Sequence, residues 1–356
     1  MSQELQYYSC NKINNTVMNF SGSIYKENFV TFCCEPLKNL PGVSLFDKGE
    51  VTIKNFIKMR DAVIFESKEV KVECGCKVYE GQIYTKACVK CAQYRLGSWG
   101  KPKSLTPWIN LSMYPSPCQS KCIYCNAHKN SSNYKFNQKD AEGYEKILDA
   151  LNYARTRELI ATNACWQIST GEITIHPYRD KIFDLVRDDK CIFYTNCFKF
   201  DKDIGNNLQI NSKSCIQLSI DSGTPKTWHE IKGVDNFNIV VDNLVKYRSN
   251  SSGHWQIKLK YIVLPGINDT DEDYLGIIEL LKSLGLKQLS LSRDIRLKYA
   301  IKEEQRHQLI NAAGRLAIML KKNNLTCDIT EAFTQTERNN VESFSNELLA
   351  SGKILG

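Results

Sequence analysis

The 356-residue sequence contains no apolar run of the roughly 18–20 residues that a membrane-spanning helix needs. Its first 15 residues are polar and lack the apolar core of a secretory signal, so we expect a cytoplasmic protein with no membrane partner. Internal repeats, low-complexity tracts and long blocks of lysine and arginine are also absent. The net charge of +8 permits contact with nucleic acid but does not require it.

Cysteine, by contrast, is abundant. There are 15 cysteines, and ten of them precede residue 126. Without an export signal a disulfide framework is not expected, because thiols stay reduced in the cytoplasm. Clustered cysteines in a reducing compartment usually hold metal, so we expect metal chemistry in the first part of the chain.

The chain falls into parts that differ in pattern. Residues 1–104 hold seven cysteines and short β-like stretches, and we interpret them as a small cysteine-rich domain. Residues 105–322 alternate six times between strand and helix patterns, including a predicted helix at 140–159 and a predicted strand at 166–169. This alternation predicts an α/β fold with a parallel sheet, either a partial barrel or a doubly wound sheet, and functional groups at the carboxyl ends of its strands. The polar residues 323–356 are interpreted as a C-terminal tail.

The loop after the first predicted strand of this region contains Cys118, Cys122 and Cys125, with the spacing CxxxCxxC. Three thiolates so spaced can ligate three irons of a cubane 4Fe-4S cluster and leave the fourth iron open. The open iron can chelate the amino and carboxylate groups of S-adenosylmethionine. A structural zinc site is the alternative, but such a site normally takes four protein ligands, and His128 is the candidate for the fourth.

This loop, with Tyr124 at the aromatic position before the third cysteine, resembles that of the radical S-adenosylmethionine (radical SAM) superfamily, and the resemblance covers residues 104–295. It implies a partial (β/α)6 barrel and a 4Fe-4S cluster that reductively cleaves S-adenosylmethionine to methionine and a 5′-deoxyadenosyl radical. The radical would abstract hydrogen from a substrate. The resemblance also implies a low-potential electron donor such as flavodoxin or ferredoxin.

Residues at the second and third predicted strand ends resemble further motifs of this family. Gly171 and Glu172 look like the glycine–glutamate motif that receives the ammonium of the methionine moiety, although the usual second glycine and the proline are missing. Asn196 lies in a turn similar to the Thr-Asn-Gly motif, with Cys197 in place of the glycine. The resemblance therefore implies that these strand ends bind the cofactor.

Later strand ends also carry polar residues. Ser219 and Asp221 resemble the Ser-Ile-Asp segment of the family, whose side chains reach the ribose of the cofactor or the substrate, and a capped strand end is the alternative for Asp221. Arg293 is a candidate partner for a carboxylate of the cofactor or substrate, with a surface salt bridge as the alternative. Asn268 and Asp269 are predicted to cap the helix that follows them.

The N-terminal domain holds six further candidate ligands: Cys33, Cys34, Cys74, Cys76, Cys88 and Cys91. Four thiolates can satisfy either a second iron–sulfur cluster or a zinc site. Cys88 and Cys91 are the strongest candidates, because a CxxC pair can bind one metal centre. The cysteine-rich texture of the segment resembles SPASM and Twitch extensions, so we predict an auxiliary 4Fe-4S cluster here, with zinc as the alternative.

Three functions are compatible with these features. The first is a radical SAM enzyme that acts on a peptide, a protein or a small metabolite. The second is a radical SAM enzyme that modifies RNA, since basic residues lie close to Tyr94 and Trp99 in the sequence. The third is a non-catalytic iron–sulfur or zinc protein, which does not explain the polar groups at the strand ends. The sequence does not identify the substrate.

Overall fold

The computed structural model describes residues 8–10, 18–23, 28–31, 43–44, 46–47, 50–51, 94–96, 106–125, 134–186, 188–297 and 301–350. The chain divides into two compact units. Unit 1 comprises Met1–Pro117 and Tyr134–Ile192, and unit 2 comprises Cys118–Asn133 and Phe193–Gly356. His128 and the six candidate ligand cysteines of the N-terminal domain lie outside the described residues. The boundaries expected at 104 and 322 stay predictions.

Unit 1 contains strands that pair in both directions. Its described strands are β1 (Tyr8–Cys10), β2 (Met18–Ser23), β3 (Asn28–Thr31), β4 (Val43–Ser44), β5 (Phe46–Asp47), β6 (Glu50–Val51), β7 (Tyr94–Leu96), β8 (Thr106–Tyr114) and β9 (Ile160–Ile168), and its described helices are α1 (Gln138–Thr156) and α2 (Arg179–Val186). Strand β8 runs parallel to β2 and to β9, whereas β3 is antiparallel to β2 and β4. The pairs β1–β7 and β5–β6 are antiparallel. Strand β10 (Lys190–Tyr194) contains the boundary between the two units.

Helix α1 begins at a capping box and buries the apolar face that the sequence predicted. The Asn137 side chain accepts hydrogen bonds from the amides of Lys139 and Asp140, and the Asp140 carboxylate accepts one from the Asn137 amide at 2.7 Å. The buried side chains include Tyr144, Ile147, Leu148, Leu151 and Ala154. The helix ends at Thr156 rather than at 159, because Glu158 takes a left-handed backbone conformation (φ 54°). Strand β9 therefore begins at residue 160, before the predicted start at 166.

Unit 2 is built from parallel strands that alternate with helices. Its strands after β10 are β11 (Cys215–Ser219), β12 (Ile257–Val263), β13 (Gln288–Arg293) and β14 (Thr326–Ile329), and its described helices are α3 (Lys202–Ile210), α4 (Pro225–Lys232), α5 (Phe237–Asn250), α6 (Asp271–Ser283), α7 (Glu303–Lys322) and α8 (Gln335–Ala350). Strands β11 to β14 pair in this order, and each pair is parallel. The predicted α/β fold class with parallel strands is confirmed. The partial (β/α)6 barrel stays a prediction.

The segment after residue 323 contains regular structure that the sequence did not indicate. Strand β14 pairs with β13, and α8 packs against α7. Gly314 of α7 makes this packing possible, because a Cβ at that position would overlap the Phe344 ring. The buried side chains of α8 are Glu337 and Val341. Such a sparse apolar face gives little periodicity to detect in the sequence.

No helix in the described part of the chain combines the length and the apolar character that a bilayer crossing requires.

Candidate active site

The three cysteines of the CxxxCxxC loop lie in unit 2. Cys118, Cys122 and Cys125 are all half-buried. The Cys125 amide donates a hydrogen bond to the Cys122 carbonyl at 3.0 Å, which closes a turn between the last two thiols. The donor set is therefore carried by one short loop.

Helix α4 holds this loop through its last turn. The Lys121 amide donates to the Lys232 carbonyl at 2.9 Å, and the Ile123 amide donates to the Ile231 carbonyl at 3.0 Å. Both carbonyls belong to the helix end, where carbonyl groups lack partners within the helix and are open to others. The helix then stops at Gly233, whose left-handed backbone (φ 68°) ends it directly beside the loop.

A buried ion pair fixes the aromatic residue of the loop. Tyr124 donates its hydroxyl hydrogen to Asp221 Oδ2. Lys232 Nζ lies 2.6 Å from the same oxygen, 2.5 Å from Tyr124 Oη and 2.7 Å from the Ser219 carbonyl oxygen. The side chains of Lys232 and Asp221 are 5% and 0% exposed, so solvent does not screen the pair. Burial raises the pKa of Tyr124 well above its usual value, and the Asp221 carboxylate adds to the rise, so the phenol stays protonated.

The turn after β11 aims Asp221 at the loop. Asp221 has a left-handed backbone (φ 50°), and its second carboxylate oxygen accepts a hydrogen bond from the Ile262 amide at 2.7 Å. Asn268 Nδ2 donates to the Asp221 carbonyl at 2.8 Å. Two residues later the turn touches helix α6, since a Cβ on Gly223 would overlap the Asp273 carbonyl. The turn is thus fixed from β12 and from α6.

Hydrogen-bond donors also reach the sulfur atoms of the loop. Asn196 Nδ2 lies 3.9 Å from Cys118 Sγ and donates to Gln119 Oε1 at 3.1 Å. Ser120 Oγ lies 2.9 Å from Cys122 Sγ. Hydrogen bonds to ligand sulfurs tune the potential of iron–sulfur clusters. The structure therefore brings the predicted residue Asn196 to the cysteine loop.

The predicted glycine–glutamate motif lies in unit 1, where it packs on the residue that precedes Cys118. Gly171 has a φ of 54°, and a Cβ there would lie 2.5 Å from the Pro117 carbonyl oxygen. The same oxygen accepts a hydrogen bond from the Glu172 amide at 2.8 Å. Glu172 is buried, and its Oε1 accepts hydrogen bonds from the amide and the hydroxyl of Thr174 at 3.1 and 2.8 Å. Its contact with the cofactor ammonium stays a prediction.

A cavity of about 740 Å³ lies within unit 2. Its lining includes Tyr124, Ser219, Lys260 and Arg293. Arg293 is almost fully buried and forms an ion pair with Glu337 at 2.5 Å, so its partner in the structure is a buried carboxylate rather than a surface one. Burial lowers the pKa of Lys260. The predicted contacts of Ser219, Asp221 and Arg293 with cofactor or substrate remain predictions.

Three residues of this region were missed or misread in the sequence. Lys232 precedes Gly233 at the end of α4. A lysine before a glycine is common at helix ends, so nothing in the sequence indicated a special role. Lys260 sits in an apolar strand and carries no motif. Asn268 was predicted to cap α6, which is wrong, because Thr270 accepts the capping hydrogen bond and Asn268 binds the turn at Asp221 instead.

The donor set of the loop fits an iron–sulfur cluster in its chemistry. Thiolates are the usual protein ligands of 4Fe-4S clusters, and Ser120 and Asn196 lie within hydrogen-bonding distance of two of the sulfurs. Across the described ranges, no three cysteine, histidine or carboxylate side chains are gathered into a metal site.

Parallel strands with a three-cysteine loop held beside the turn after β11 define an α/β protein with a candidate cluster site. Residues 116–281 match the family model described as the Radical SAM superfamily. Residues 116–281 therefore form a radical SAM domain, which confirms the resemblance found in the sequence. A radical SAM domain implies a 4Fe-4S cluster and S-adenosylmethionine.

Three solved structures are also similar to this chain. SuiB of Streptococcus suis bound to S-adenosylmethionine has 17% identity and a TM-score of 0.42, covering 64% of this chain and 51% of that one. A radical SAM methyltransferase from Sphaerobacter thermophilus has 13% identity and a TM-score of 0.41, with coverages of 62% and 68%. SuiB bound to the precursor peptide SuiA has 14% identity and a TM-score of 0.43, with coverages of 78% and 61%. This chain spans about half the length of the SuiB chain bound to S-adenosylmethionine. No curated protein matches the sequence.

Proposed function

We propose that this protein is a radical SAM enzyme that abstracts hydrogen from a peptide, a protein or a small metabolite. Cys118, Cys122 and Cys125 would ligate the 4Fe-4S cluster. When bound, the cluster supplies the electron that cleaves S-adenosylmethionine to methionine and a 5′-deoxyadenosyl radical. All other roles fall to side chains that bind, orient or shield the reactants.

The remaining predicted residues would bind different parts of the cofactor or the substrate. Gly171 and Glu172 would receive the ammonium of the methionine moiety, because a glycine admits close approach of the backbone and a carboxylate attracts a cation. Ser219 would bind either the ribose of the cofactor or the substrate. Arg293 would orient a carboxylate of the cofactor or substrate, and Asn196 would donate to the Cys118 sulfur.

The single observation that carries the proposal is the anchoring of the cysteine loop to Asp221 and Lys232. A buried ion pair costs desolvation energy and is weak evidence for stability by itself. Here both charges contact Tyr124, which lies between the second and third cysteines. The pair therefore fixes the position of the loop, as a site that must hold a cluster in one place requires.

Two further features of the proposal concern redox partners. A second 4Fe-4S cluster, or zinc, would be held by four of the six cysteines in residues 1–104, with Cys88 and Cys91 among them. A flavodoxin- or ferredoxin-like protein would deliver the electron. An auxiliary cluster would be able to take an electron from a substrate radical, whereas zinc would not.

The proposal is tested on the full chain after anaerobic reconstitution with iron and sulfide. We expect about four irons per chain for one cluster and about eight for two. Addition of dithionite and S-adenosylmethionine should release 5′-deoxyadenosine, measured by liquid chromatography. The triple change of Cys118, Cys122 and Cys125 to alanine should abolish the product and remove about four irons.

Cys327→Ala is the matched control, because Cys327 is also half-buried in unit 2 but lies on β14, outside the loop. It should retain iron and 5′-deoxyadenosine release. The proposal is refuted if the wild type releases no 5′-deoxyadenosine while carrying a cluster, or if the triple variant still releases it.

A further inference from the structure

Lys260 occupies the middle of a row of polar residues that crosses the sheet of unit 2. The parallel register places Lys260 opposite Ser219 of β11 on one side and Ser290 of β13 on the other, and Ser290 opposite Asp328 of β14. Paired residues in a parallel sheet point to the same face, and neighbouring strands are about 4.8 Å apart. Ser219, Lys260 and Asp328 all line the 740 Å³ cavity. Three of the four residues of the row therefore line that cavity.

The buried charges near Lys260 are paired with other residues. Asp221 is paired with Lys232 at 2.6 Å, and Arg293 is paired with Glu337 at 2.5 Å. Three more acids line the cavity. Asp294 is paired with Arg296 at 2.5 Å, Asp328 is exposed and lies two strands away at about 10 Å, and Glu331 is exposed. The Lys260 ammonium, in contrast, has no hydrogen-bond or ion-pair partner anywhere in the described ranges.

An ammonium group that faces a cavity without a counter-ion is costly to keep in a folded protein. A ligand that brings one negative charge removes this cost. The neighbouring hydroxyls of Ser219 and Ser292, which also line the cavity, can donate to the same ligand oxygens. The Lys260 ammonium and these two hydroxyls together suit a carboxylate, which carries one negative charge and two acceptor oxygens.

We propose that Lys260 binds a carboxylate group of the substrate in this cavity. The inference rests on the proposed function, because Tyr124 of the cysteine loop lines the same cavity and so places the bound substrate beside the radical chemistry. Lys260 then determines specificity by selecting substrates that carry a carboxylate at this point. The substrate class is a carboxylate-bearing molecule or side chain.

The test measures binding without turnover, in the reconstituted full chain. Butyrate is titrated at constant ionic strength and followed by ligand-observed NMR, with butyramide as the neutral probe of the same shape. Wild type should bind butyrate and not butyramide. Lys260→Met should weaken butyrate binding by roughly tenfold or more, as expected for the loss of one charge-assisted hydrogen bond. Lys260→Arg should keep the affinity within about threefold, because it keeps the charge.

Lys258→Met is the matched control, since Lys258 lies two residues earlier on β12 and is exposed. It should bind butyrate as the wild type does. A measurement on the wild type alone covers the case in which Lys260→Met does not fold. Trace acetylation followed by mass spectrometry should show that butyrate protects Lys260 and leaves Lys258 unprotected.

Several outcomes would overturn the inference. These are equal binding of butyrate and butyramide, unchanged affinity in Lys260→Met, and acetylation of Lys260 that butyrate does not slow. Tighter binding of inorganic phosphate than of butyrate would overturn the assignment to a carboxylate. If S-adenosylmethionine displaces butyrate one for one and Lys260→Met loses affinity for both by the same factor, the carboxylate belongs to the cofactor and not to the substrate. Because no step depends on 5′-deoxyadenosine release, a failure here is distinct from a failure of the proposed function.

Discussion

The anchoring of the cysteine loop predicts a large effect for a residue that has no place in any sequence motif. Lys232→Met removes the ammonium but keeps most of the side-chain volume. Asp221 would stay fully buried, but its Oδ2 would lose the hydrogen bond from the Lys232 ammonium at 2.6 Å. The Tyr124 hydroxyl oxygen would lose the hydrogen bond from the same ammonium. The loop would lose one of its side-chain anchors and keep its backbone hydrogen bonds to α4 and the Tyr124–Asp221 hydrogen bond.

The magnitude follows from the burial of the pair. Removing one partner of a buried ion pair costs roughly 3–5 kcal/mol, because the other charge stays buried without compensation. Asp221→Asn removes the second charge, and asparagine tolerates the left-handed backbone at this position (φ 50°). The double variant should therefore be more stable than the sum of the two single changes predicts, with an interaction energy of up to about 3 kcal/mol.

Urea unfolding, followed by fluorescence and by circular dichroism, measures these free energies, provided that the two transitions coincide. Lys226→Met is the control, because Lys226 lies on the same helix and is exposed, and it should change stability by no more than about 0.5 kcal/mol. Lys232→Met should also bind less iron than the control variant. The reasoning is refuted if Lys232→Met costs less than about 1 kcal/mol, or if the effects of the two single changes are additive.

Three other changes test separate parts of the molecule. Gly171→Ala should reduce stability by roughly 1–3 kcal/mol, because the new Cβ would lie 2.5 Å from the Pro117 carbonyl oxygen at a backbone φ of 54°, and thermal melting checks it. Burial lowers the pKa of His176 from 6.5 to about 4. Between these pH values the unfolded chain binds a proton at His176 more readily than the folded chain does. The free energy of unfolding should therefore fall by about 3 kcal/mol at most as the pH drops from 6.5 to 4. His176→Asn keeps an acceptor for the backbone but does not titrate, and it should flatten the urea midpoint across that pH window. Gly314→Ala should destabilise the contact of α7 with the Phe344 ring by about 1–3 kcal/mol, seen as faster hydrogen exchange in α8.

Each of these predictions has an outcome that contradicts it. Wild-type melting of Gly171→Ala would mean that the turn has room for a side chain. A pH dependence that persists unchanged in His176→Asn would assign it to other groups. Unaltered exchange in α8 of Gly314→Ala would show that the helix contact is loose, and not close as the structure has it.

The regular elements after residue 190 were largely predictable from the sequence. The alternation predicted for residues 105–322 agrees with β10 to β13 and the helices that follow them. Buried parallel strands read as continuous apolar runs, and these runs are bounded by polar turns. Helix α4 was missed although Thr224 and Pro225 form a helix start, because its apolar positions are only Trp228 and Ile231.

The site was predictable in part. Motif spacing pointed to the cysteine loop, and the strand ends pointed to Asn196 and Asp221, which the structure brings to that loop. The partner of Asp221 could not be predicted, since Lys232 meets it only through the return of α4 to the end of β11. The partner of Arg293 was hidden for the same reason, because Glu337 lies 44 residues away on a helix with a sparse apolar face.

The sequence by itself determined the class of chemistry and the alternation of strands and helices. Both are local properties, because a CxxxCxxC loop and an apolar run are read from neighbouring residues. Only the tertiary structure decided which charged side chains form ion pairs and which one, among the described residues, faces the cavity without an ion-pair partner. Lys232 and Lys260 are both lysines in unremarkable segments, yet one ends against a buried carboxylate and the other faces a cavity. That difference depends on packing between elements distant in the chain, which no local pattern encodes.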